Sequence, residues 1–146
     1  MSQRGTLTQP RGREDLVGVL KEAQRKFGYV PEEVMAELAE SLHIPINEVY
    51  GVASFYSFLS IKPLGKNVIR VCQSLPCYLK NCQIIIEAVE KELGIKPGET
   101  TADGKFSFQL TNCIGLCDLA PAMMINHDAH VDLTPEKISQ ILKNYQ

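Results

Sequence analysis

The stretch "CIGLCDLAPAMMIN", residues 113–126, joins two closely spaced thiols to an apolar run. Cys113 and Cys117 are separated by three residues that include Gly115, and no charged side chain follows Asp118 within the stretch. A second group of cysteines lies earlier, in "VCQSLPCYLKNC" at 71–82. The central question is therefore what two separated pairs of thiols hold.

Each pair follows a short strand pattern. The β-branched run "VIRVC" at 68–72 ends at its own cysteine, and "KFSFQLT" at 105–111 alternates between apolar and polar residues. This alternation predicts a half-buried strand, with Ser107 on its polar face. We expect Cys77 to lie in the loop after the first strand and Cys117 in the loop after the second. Two strand ends at the same edge of a sheet bring four thiols together.

Gly115 supports convergence at this edge, because a residue without Cβ allows the backbone to bend tightly and direct N–H groups toward sulfur. Four thiolates suit either zinc or an iron–sulfur cluster, and the spacing alone leaves both readings open. A disulfide framework needs an oxidising compartment, for which the sequence shows no secretory signal, and it leaves a fifth cysteine unpaired. A thioredoxin-type dithiol needs Cys-x-x-Cys, which the sequence lacks.

The N-terminal part of the chain has a helical period. Apolar residues recur at three- and four-residue steps from Leu16 to Phe27, and Gly28 stands where a helix C-cap glycine belongs. Pro31 suits the first turn of a second helix, and "HIPINEV" at 43–49 begins a third. We predict a small helical bundle at 13–61, with the aromatic cluster "FYSFL" packed in its core. The alternative is that this cluster forms a docking face for a partner.

The turn "KPLGKN" at 62–67 marks a domain boundary. Beyond it, a helix is predicted at 83–93 and is ended by Gly94; short strands are predicted at "AMMI" and around "HVDL", and a last helix begins after Thr134. The fold class is therefore α+β, with a helical bundle followed by a domain of thioredoxin-like size at 62–146. Residues 1–12 are expected to be a flexible N-terminus.

Composition excludes several classes of function. The chain has 146 residues, 45% of them hydrophobic, which is enough for a packed core. Its net charge is -2 with cations scattered among acids, so no basic stripe is present for nucleic acid. Its apolar runs are far shorter than the roughly 20 residues of a membrane-spanning helix. Nucleic-acid binding and membrane insertion are therefore not expected.

Several longer motifs resemble one known family. These are "FGYVPEEV", "HIPINEVYGVASFYSFL", "KPLGKNVIRVC", "GIKPGETTADGKFS" and "CIGLCDLAPAMMIN" followed by "LTPEKI". In this order they are similar to the thioredoxin-like 2Fe-2S subunit of NADH dehydrogenases, the small peripheral-arm subunit of complex I, whose relatives occur in NAD(P)-linked hydrogenases and formate dehydrogenases. The resemblance covers residues from about Leu16 to Tyr145.

This resemblance implies a ligand set and partners. The ligands of one 2Fe-2S cluster would be Cys72, Cys77, Cys113 and Cys117. The family also implies a thioredoxin-like 2Fe-2S ferredoxin domain, a partner flavoprotein that binds FMN and NAD(P)H, and further iron–sulfur subunits. No catalytic residue or substrate site is expected in this chain. The expected location is the bacterial cytoplasm, or the cytoplasmic face of a membrane complex.

Some positions depart from the family pattern. Ser74, Leu75 and Pro76 stand where the family usually has Gly-Thr and a small residue, and Tyr78 replaces a histidine. Pro76 removes a backbone N–H just before a ligand, and we expect this to keep the reduction potential low. None of these changes removes a cysteine of the implied ligand set.

The remaining candidates have simpler interpretations. Cys82 is expected to be a small buried residue, and His43, His127 and His130 to be surface residues. Apolar residues around the second pair, namely Ile114, Leu116, Leu119 and the run from Ala120 to Met124, are expected to form a shell for the cluster. The predicted function is electron transfer in an NAD(P)H-linked oxidoreductase. The alternatives are a zinc-bearing structural or adaptor domain and a stand-alone ferredoxin.

Overall fold

The computed structural model describes residue 7 and residues 10–145 of the chain. It divides into two compact units, Met1–Pro63 and Leu64–Gln146, which we call the helical unit and the cysteine unit. The division falls close to the predicted boundary at 62. Most of the N-terminus predicted to be flexible, at 1–12, lies outside the described residues.

Within its described residues, the helical unit contains a 3-10 turn at Arg13–Asp15 and three α-helices. These are α1 (Leu16–Phe27), α2 (Glu32–Leu42) and α3 (Ile46–Phe55). Gly28 ends α1 in the left-handed conformation, with φ of 79°, and its N–H donates to the Gln24 carbonyl, as a C-cap glycine does. Pro31 is the N-cap of α2 and so lies one position before the predicted first turn.

The core of the helical unit comes from the periodic apolar positions that predicted its helices. Its buried members are Leu16, Val19, Leu20, Ala23, Val30, Val34, Met35, Leu38, Ala39, Val49 and Ala53. Loop residues close the unit: the Val30 N–H donates to the Ser60 carbonyl at 2.7 Å, and the Ser60 N–H donates to Gln24 Oε1 at 2.9 Å. These bonds satisfy backbone groups where the chain leaves the helices.

The prediction that the aromatic cluster packs inside this bundle is wrong. Phe55 is 78% exposed, and Tyr56 and Phe58 are 44% and 46% exposed. The buried face of α3 is set by Val49 and Ala53, which lie four residues apart. Phe55 follows Ala53 by two residues, which is about 200° around a helix, so its side chain leaves that face.

The cysteine unit is an α+β fold around a four-stranded sheet. Its elements are β1 (Asn67–Cys72), α4 (Leu75–Leu79), α5 (Cys82–Leu93), β2 (Phe106–Thr111), a 3-10 turn (Cys117–Leu119), β3 (Met123–Ile125), β4 (Asp128–His130) and α6 (Pro135–Lys143). The strand order is β2-β1-β3-β4. The central strand β1 pairs with β2 in parallel and with β3 in antiparallel orientation. The predicted fold class is confirmed.

One face of this sheet packs on the helices α5 and α6. The strands contribute Ile69, Val71, Phe106, Phe108, Met123 and Ile125, and the helices contribute Ile85, Val89, Ile138 and Leu142. Each helix pair is four residues apart and therefore lies on one helix face. Burial of each such side chain stabilises the unit by about 1.5–3 kcal/mol. The ends of β1 and β2 are thus fixed by a packed core.

Strand β2 is more buried than its alternating pattern predicts. Ser107, expected on a solvated face, is 1% exposed. Its hydroxyl accepts a hydrogen bond from the Gly65 N–H at 2.7 Å and contacts Thr100 Oγ1 at 2.6 Å. The segment before β2 also runs along its outer edge, where the Phe108 N–H donates to the Glu99 carbonyl. Loop segments therefore cover this part of the polar face and satisfy the Ser107 hydroxyl.

The end of the chain follows the prediction, with one shift. The strand expected around "HVDL" lies at Asp128–His130, two residues earlier. Thr134 caps α6 by accepting a hydrogen bond from the Lys137 N–H at 3.4 Å, and Pro135 opens the helix. Among the described residues, no helix combines the length and the apolar character needed to cross a membrane.

Candidate metal centre

Parallel pairing of β1 and β2 places the two cysteine pairs at one edge of the sheet. Cys72, the last residue of β1, pairs with Thr111, the last residue of β2. Both strands therefore end at the same edge, and Cys113 follows Thr111 by two residues. The prediction that the two strand ends share an edge is confirmed.

Two of the cysteines predicted to lie in loops have a different local structure. Cys77 lies within α4 and not in a loop, and Cys117 begins the 3-10 turn. Ser74 is the extended N-cap of α4, and Pro76 lies in its first turn. Proline is tolerated there because its fixed φ suits a helix and its missing N–H has no intrahelical partner. A five-residue helix is too short to show a periodic pattern in the sequence.

The first pair, Cys72 and Cys77, is buried. The two residues are 1% and 2% exposed and belong to the core of the cysteine unit. Burial raises the pKa of Cys77 to about 11; a hydrogen bond from the Ala122 N–H opposes this rise, and a hydrogen bond with Cys72 adds to it. The two thiols therefore lie close together in the interior of the unit.

The second pair, Cys113 and Cys117, lies nearer the surface. Their Sγ atoms are 3.3 Å apart, and the Gly115 N–H donates to Cys113 Sγ at 3.3 Å. Gly115 has φ of 83°, a left-handed conformation that glycine adopts without a Cβ penalty. The Gly115 N–H, and secondly the hydrogen bond with Cys117, lower the pKa of Cys113. The expectation that Gly115 turns an N–H toward sulfur is confirmed.

Electrostatics connect the two pairs. The pKa of Cys117 is raised first by its hydrogen bond with Cys113 and by burial, and then by the negative charges of Cys113, Cys72 and Asp118. Charges act at short range here, because solvent screens them beyond about 10 Å at ordinary ionic strength. The negative charge of Cys72 therefore acts on Cys117 at the sheet edge where β1 and β2 both end.

The thiols are arranged in two pairs. Across residue 7 and residues 10–145, no three side chains of histidine, cysteine, aspartate or glutamate converge as ligands of a single metal ion. A 2Fe-2S cluster has a different requirement, because its four cysteines are divided between two irons. One pair for each iron, with the Gly115 N–H beside Cys113 Sγ, fits that requirement.

Cys82 and the histidines lie apart from these roles. Cys82 is the first residue of α5 and is 2% exposed within the core, as expected. His43 is the C-cap of α2 in the helical unit, and His127 is exposed. His130 is half-buried, and its Nε2 lies 3.2 Å from the Tyr145 hydroxyl, so it is more enclosed than the surface position expected for it.

The apolar residues expected to form a shell around the second pair are partly buried and partly exposed. Ala120, Ala122 and Met123 are buried, whereas Leu119 is 40% exposed. Sequence reasoning did not identify a set of exposed apolar side chains that lie within two residues of a cysteine. This apolar rim consists of Leu75, Tyr78, Leu79, Ile84 and Leu119. In the sequence, this rim could have been recognised from the large apolar residues that stand close to cysteines.

Comparison with known proteins settles the family. The family model described as thioredoxin-like 2Fe-2S ferredoxin matches residues 4–146. The chain belongs to this family. The resemblance read from its motifs is thereby confirmed, and the sheet with its two strand-end cysteine pairs is the fold of a thioredoxin-like 2Fe-2S ferredoxin.

Relatives place this ferredoxin beside subunits of larger enzymes. It is 45% identical over 130 residues to a subunit of the NADH-quinone oxidoreductase of Escherichia coli K12, covering 89% of this chain and 78% of the relative. It is 38% identical over 136 residues to the HndA subunit of the NADP-reducing hydrogenase of Solidesulfovibrio fructosivorans, covering 93% and 80%.

A solved structure shows a similar fold within a longer polypeptide. The NAD+-reducing NiFe-hydrogenase in its H2-reduced state matches with a TM-score of 0.74 at 25% identity, over 97% of this chain. The match covers 23% of the hydrogenase chain. The ferredoxin described here therefore spans about a quarter of the length of that chain.

Proposed function

We propose that this ferredoxin is an electron-transfer subunit that carries one 2Fe-2S cluster on Cys72, Cys77, Cys113 and Cys117. The observation that carries the proposal is the pairing of four thiols at one edge of the sheet. The inner pair, Cys72 and Cys77, lies in the core. The outer pair, Cys113 and Cys117, has its sulfurs 3.3 Å apart beside a backbone donor. The paired arrangement favours this reading over a single zinc ion, which takes four ligands at one centre.

The bound cluster supplies a centre that accepts and releases one electron at a time. The chain itself does three things for it. The packed ends of β1 and β2 hold the ligand segments in fixed positions, and the core excludes water from Cys72 and Cys77. The Gly115 N–H donates to Cys113 Sγ and stabilises negative charge there. We expect no substrate site and no catalytic residue in this chain.

The partner that this proposal requires is a flavoprotein subunit that binds FMN and NAD(P)H and exchanges single electrons with the cluster. Support comes from the relatives, which are subunits of an NADH-quinone oxidoreductase and of an NADP-reducing hydrogenase. Further iron–sulfur subunits would continue the electron path. A location in the bacterial cytoplasm, or at the cytoplasmic face of a membrane complex, stays a prediction.

Two exposed apolar surfaces are available for such a complex. The residues of the apolar rim lie next to cysteines in the sequence of the cysteine unit, and Phe55, Tyr56 and Phe58 form an aromatic face on the helical unit. Large exposed apolar patches on soluble proteins mark interaction sites. We assign the aromatic face to subunit contacts, which was the alternative interpretation of this cluster in the sequence.

Affinity purification of the tagged full-length chain under anaerobic conditions tests the proposal. We expect a coloured protein with two irons per chain that retains a flavoprotein with bound FMN, and whose cluster is reduced by NADH or NADPH. A coloured chain that retains no flavoprotein and is not reduced by either nucleotide would instead indicate a stand-alone carrier. A colourless chain with stoichiometric zinc would indicate the structural alternative.

A further inference from the structure

One side chain links the two segments that carry the cysteines. Lys80 follows α4 as its C-cap, and its backbone N–H donates to the Pro76 carbonyl at 3.2 Å. Its Nζ donates to the Asp118 carbonyl oxygen at 3.4 Å. Asp118 directly follows Cys117, so this contact joins the segment of the inner pair to the segment of the outer pair.

We propose that the charges of Lys80 and Asp118 shift the reduction potential of the cluster in opposite directions. Lys80 raises the potential, and Asp118 lowers it. This inference rests on the proposed function. Lys80 is also a clamp between the two segments, because its Nζ donates to the backbone oxygen of Asp118. This contact does not use the Asp118 carboxylate, which acts as a separate charge.

The physical reason is the charge that reduction adds. One electron makes the site more negative, so a nearby cation favours reduction and a nearby anion opposes it. Consecutive Cα atoms are about 3.8 Å apart, which places the Asp118 carbonyl, and with it the Lys80 ammonium, on the order of 10 Å or less from Cys117 Sγ.

Both charges are exposed, which limits their effect. A unit charge about 10 Å away changes the equilibrium constant for reduction by a factor of about 16 when the dielectric constant is about 20, and by a factor of about 2 when it is about 80. Screening by solvent and salt places the expected change near the lower end, about two- to fourfold. For a one-electron couple this is about 18–36 mV.

The test is a set of EPR-monitored redox titrations on the full chain with its cluster, at low and high salt. Lys80→Met removes clamp and charge, Lys80→Arg keeps the charge, and Asp118→Asn removes the carboxylate while keeping the carbonyl. Lys91→Met is the matched control, because Lys91 is an exposed lysine on α5 about 14 Å along the helix from Cys82.

We expect the potential to fall in Lys80→Met, to rise in Asp118→Asn, and to stay unchanged in Lys80→Arg and Lys91→Met. Both shifts should shrink at high salt. In the cluster-free chain, amide exchange at 117–119 should be faster in Lys80→Met than in wild type, and Lys80→Arg should restore it.

Equal potentials in Lys80→Met, Asp118→Asn and wild type would overturn the inference while leaving the cluster itself established. A shift in Lys80→Arg as large as that in Lys80→Met would also overturn it, since charge would then not be the cause. If Lys80→Met fails to assemble a cluster, Asp118→Asn decides alone, and a potential that does not rise refutes the inference. Absence of a cluster in the wild-type chain would instead refute the proposed function.

Discussion

Gly115→Ala separates the role of a backbone N–H from the cost of a strained turn. Gly115 has φ of 83°, and a Cβ at this position would meet no heavy atom within 4 Å. The substitution therefore causes no clash, and its cost is that of a left-handed L-residue, about 1–2 kcal/mol. Relaxation out of this conformation would turn the residue 115 N–H away from Cys113 Sγ, to which it now donates at 3.3 Å.

The loss of this hydrogen bond has a second, electronic consequence. Hydrogen bonds to the sulfurs help to set the potential of an iron–sulfur cluster, and a donor N–H stabilises the more negative reduced state. A net contribution of about 1 kcal/mol per hydrogen bond sets an upper limit of about 40 mV for the shift. We therefore expect Gly115→Ala to lower the potential by up to about 40 mV.

Gly94→Ala is the matched control. Gly94 has φ of 68° and also has no heavy atom within 4 Å of an added Cβ, so the backbone cost is similar. Its N–H donates to the Glu90 carbonyl at the end of α5 and not to sulfur. Urea unfolding of the cluster-free chain should show similar losses of stability for both variants. Only Gly115→Ala should shift the potential in an EPR-monitored titration.

Two results would refute this reasoning. One is an equal shift of potential in both variants, which would show that general strain and not the N–H sets the effect. The other is an unchanged potential in Gly115→Ala accompanied by the expected loss of stability. Gly115→Asn provides a further check, since asparagine tolerates the left-handed conformation and should recover part of both losses.

Three further predictions concern residues around the site and the sheet. Pro76→Ala restores an N–H just before Cys77 and should raise the cluster potential; a potentiometric titration that shows no shift or a lower value would end this hypothesis. Cys82→Ala should destabilise the chain by about 1–2 kcal/mol in urea titrations, because Cys82 is buried in the core, yet it should retain full iron content; loss of iron would make Cys82 a ligand. Burial lowers the pKa of His130, with Asp128 opposing the shift, so the unfolded chain takes up the proton first. The free energy of unfolding should therefore fall as pH drops below about 6.5, and His130→Gln should reduce this slope; an unchanged slope would contradict the assignment.

The site was predictable from the sequence where short-range rules apply. Cys72 terminates a β-branched run and Cys113 follows an alternating one, and parallel pairing then places both at one edge. Gly115 between two cysteines predicted a tight bend with an N–H directed at sulfur, which the structure shows. These features depend on strand ends and on glycine, and both leave a local signal.

The remaining features depend on tertiary context. Ser107 reads as solvated from its alternating pattern, and its burial follows from Gly65 and Thr100, which the pattern does not contain. Phe55 reads as a core residue by hydrophobicity, and its exposure follows from which face of α3 the bundle buries. Helix α4 is too short to carry a periodic signal, which is why Cys77 was expected in a loop.

Iron, sulfide and zinc analysis of the anaerobically purified chain, in wild type and in single alanine variants of all cysteines, tests the ligand assignment most directly. We expect two irons and two sulfides per wild-type chain. We also expect a loss of the visible absorption in the alanine variants of Cys72, Cys77, Cys113 and Cys117, with Cys82→Ala unaffected. One zinc per chain and no iron, or an intact cluster after replacement of any of those four, would contradict it.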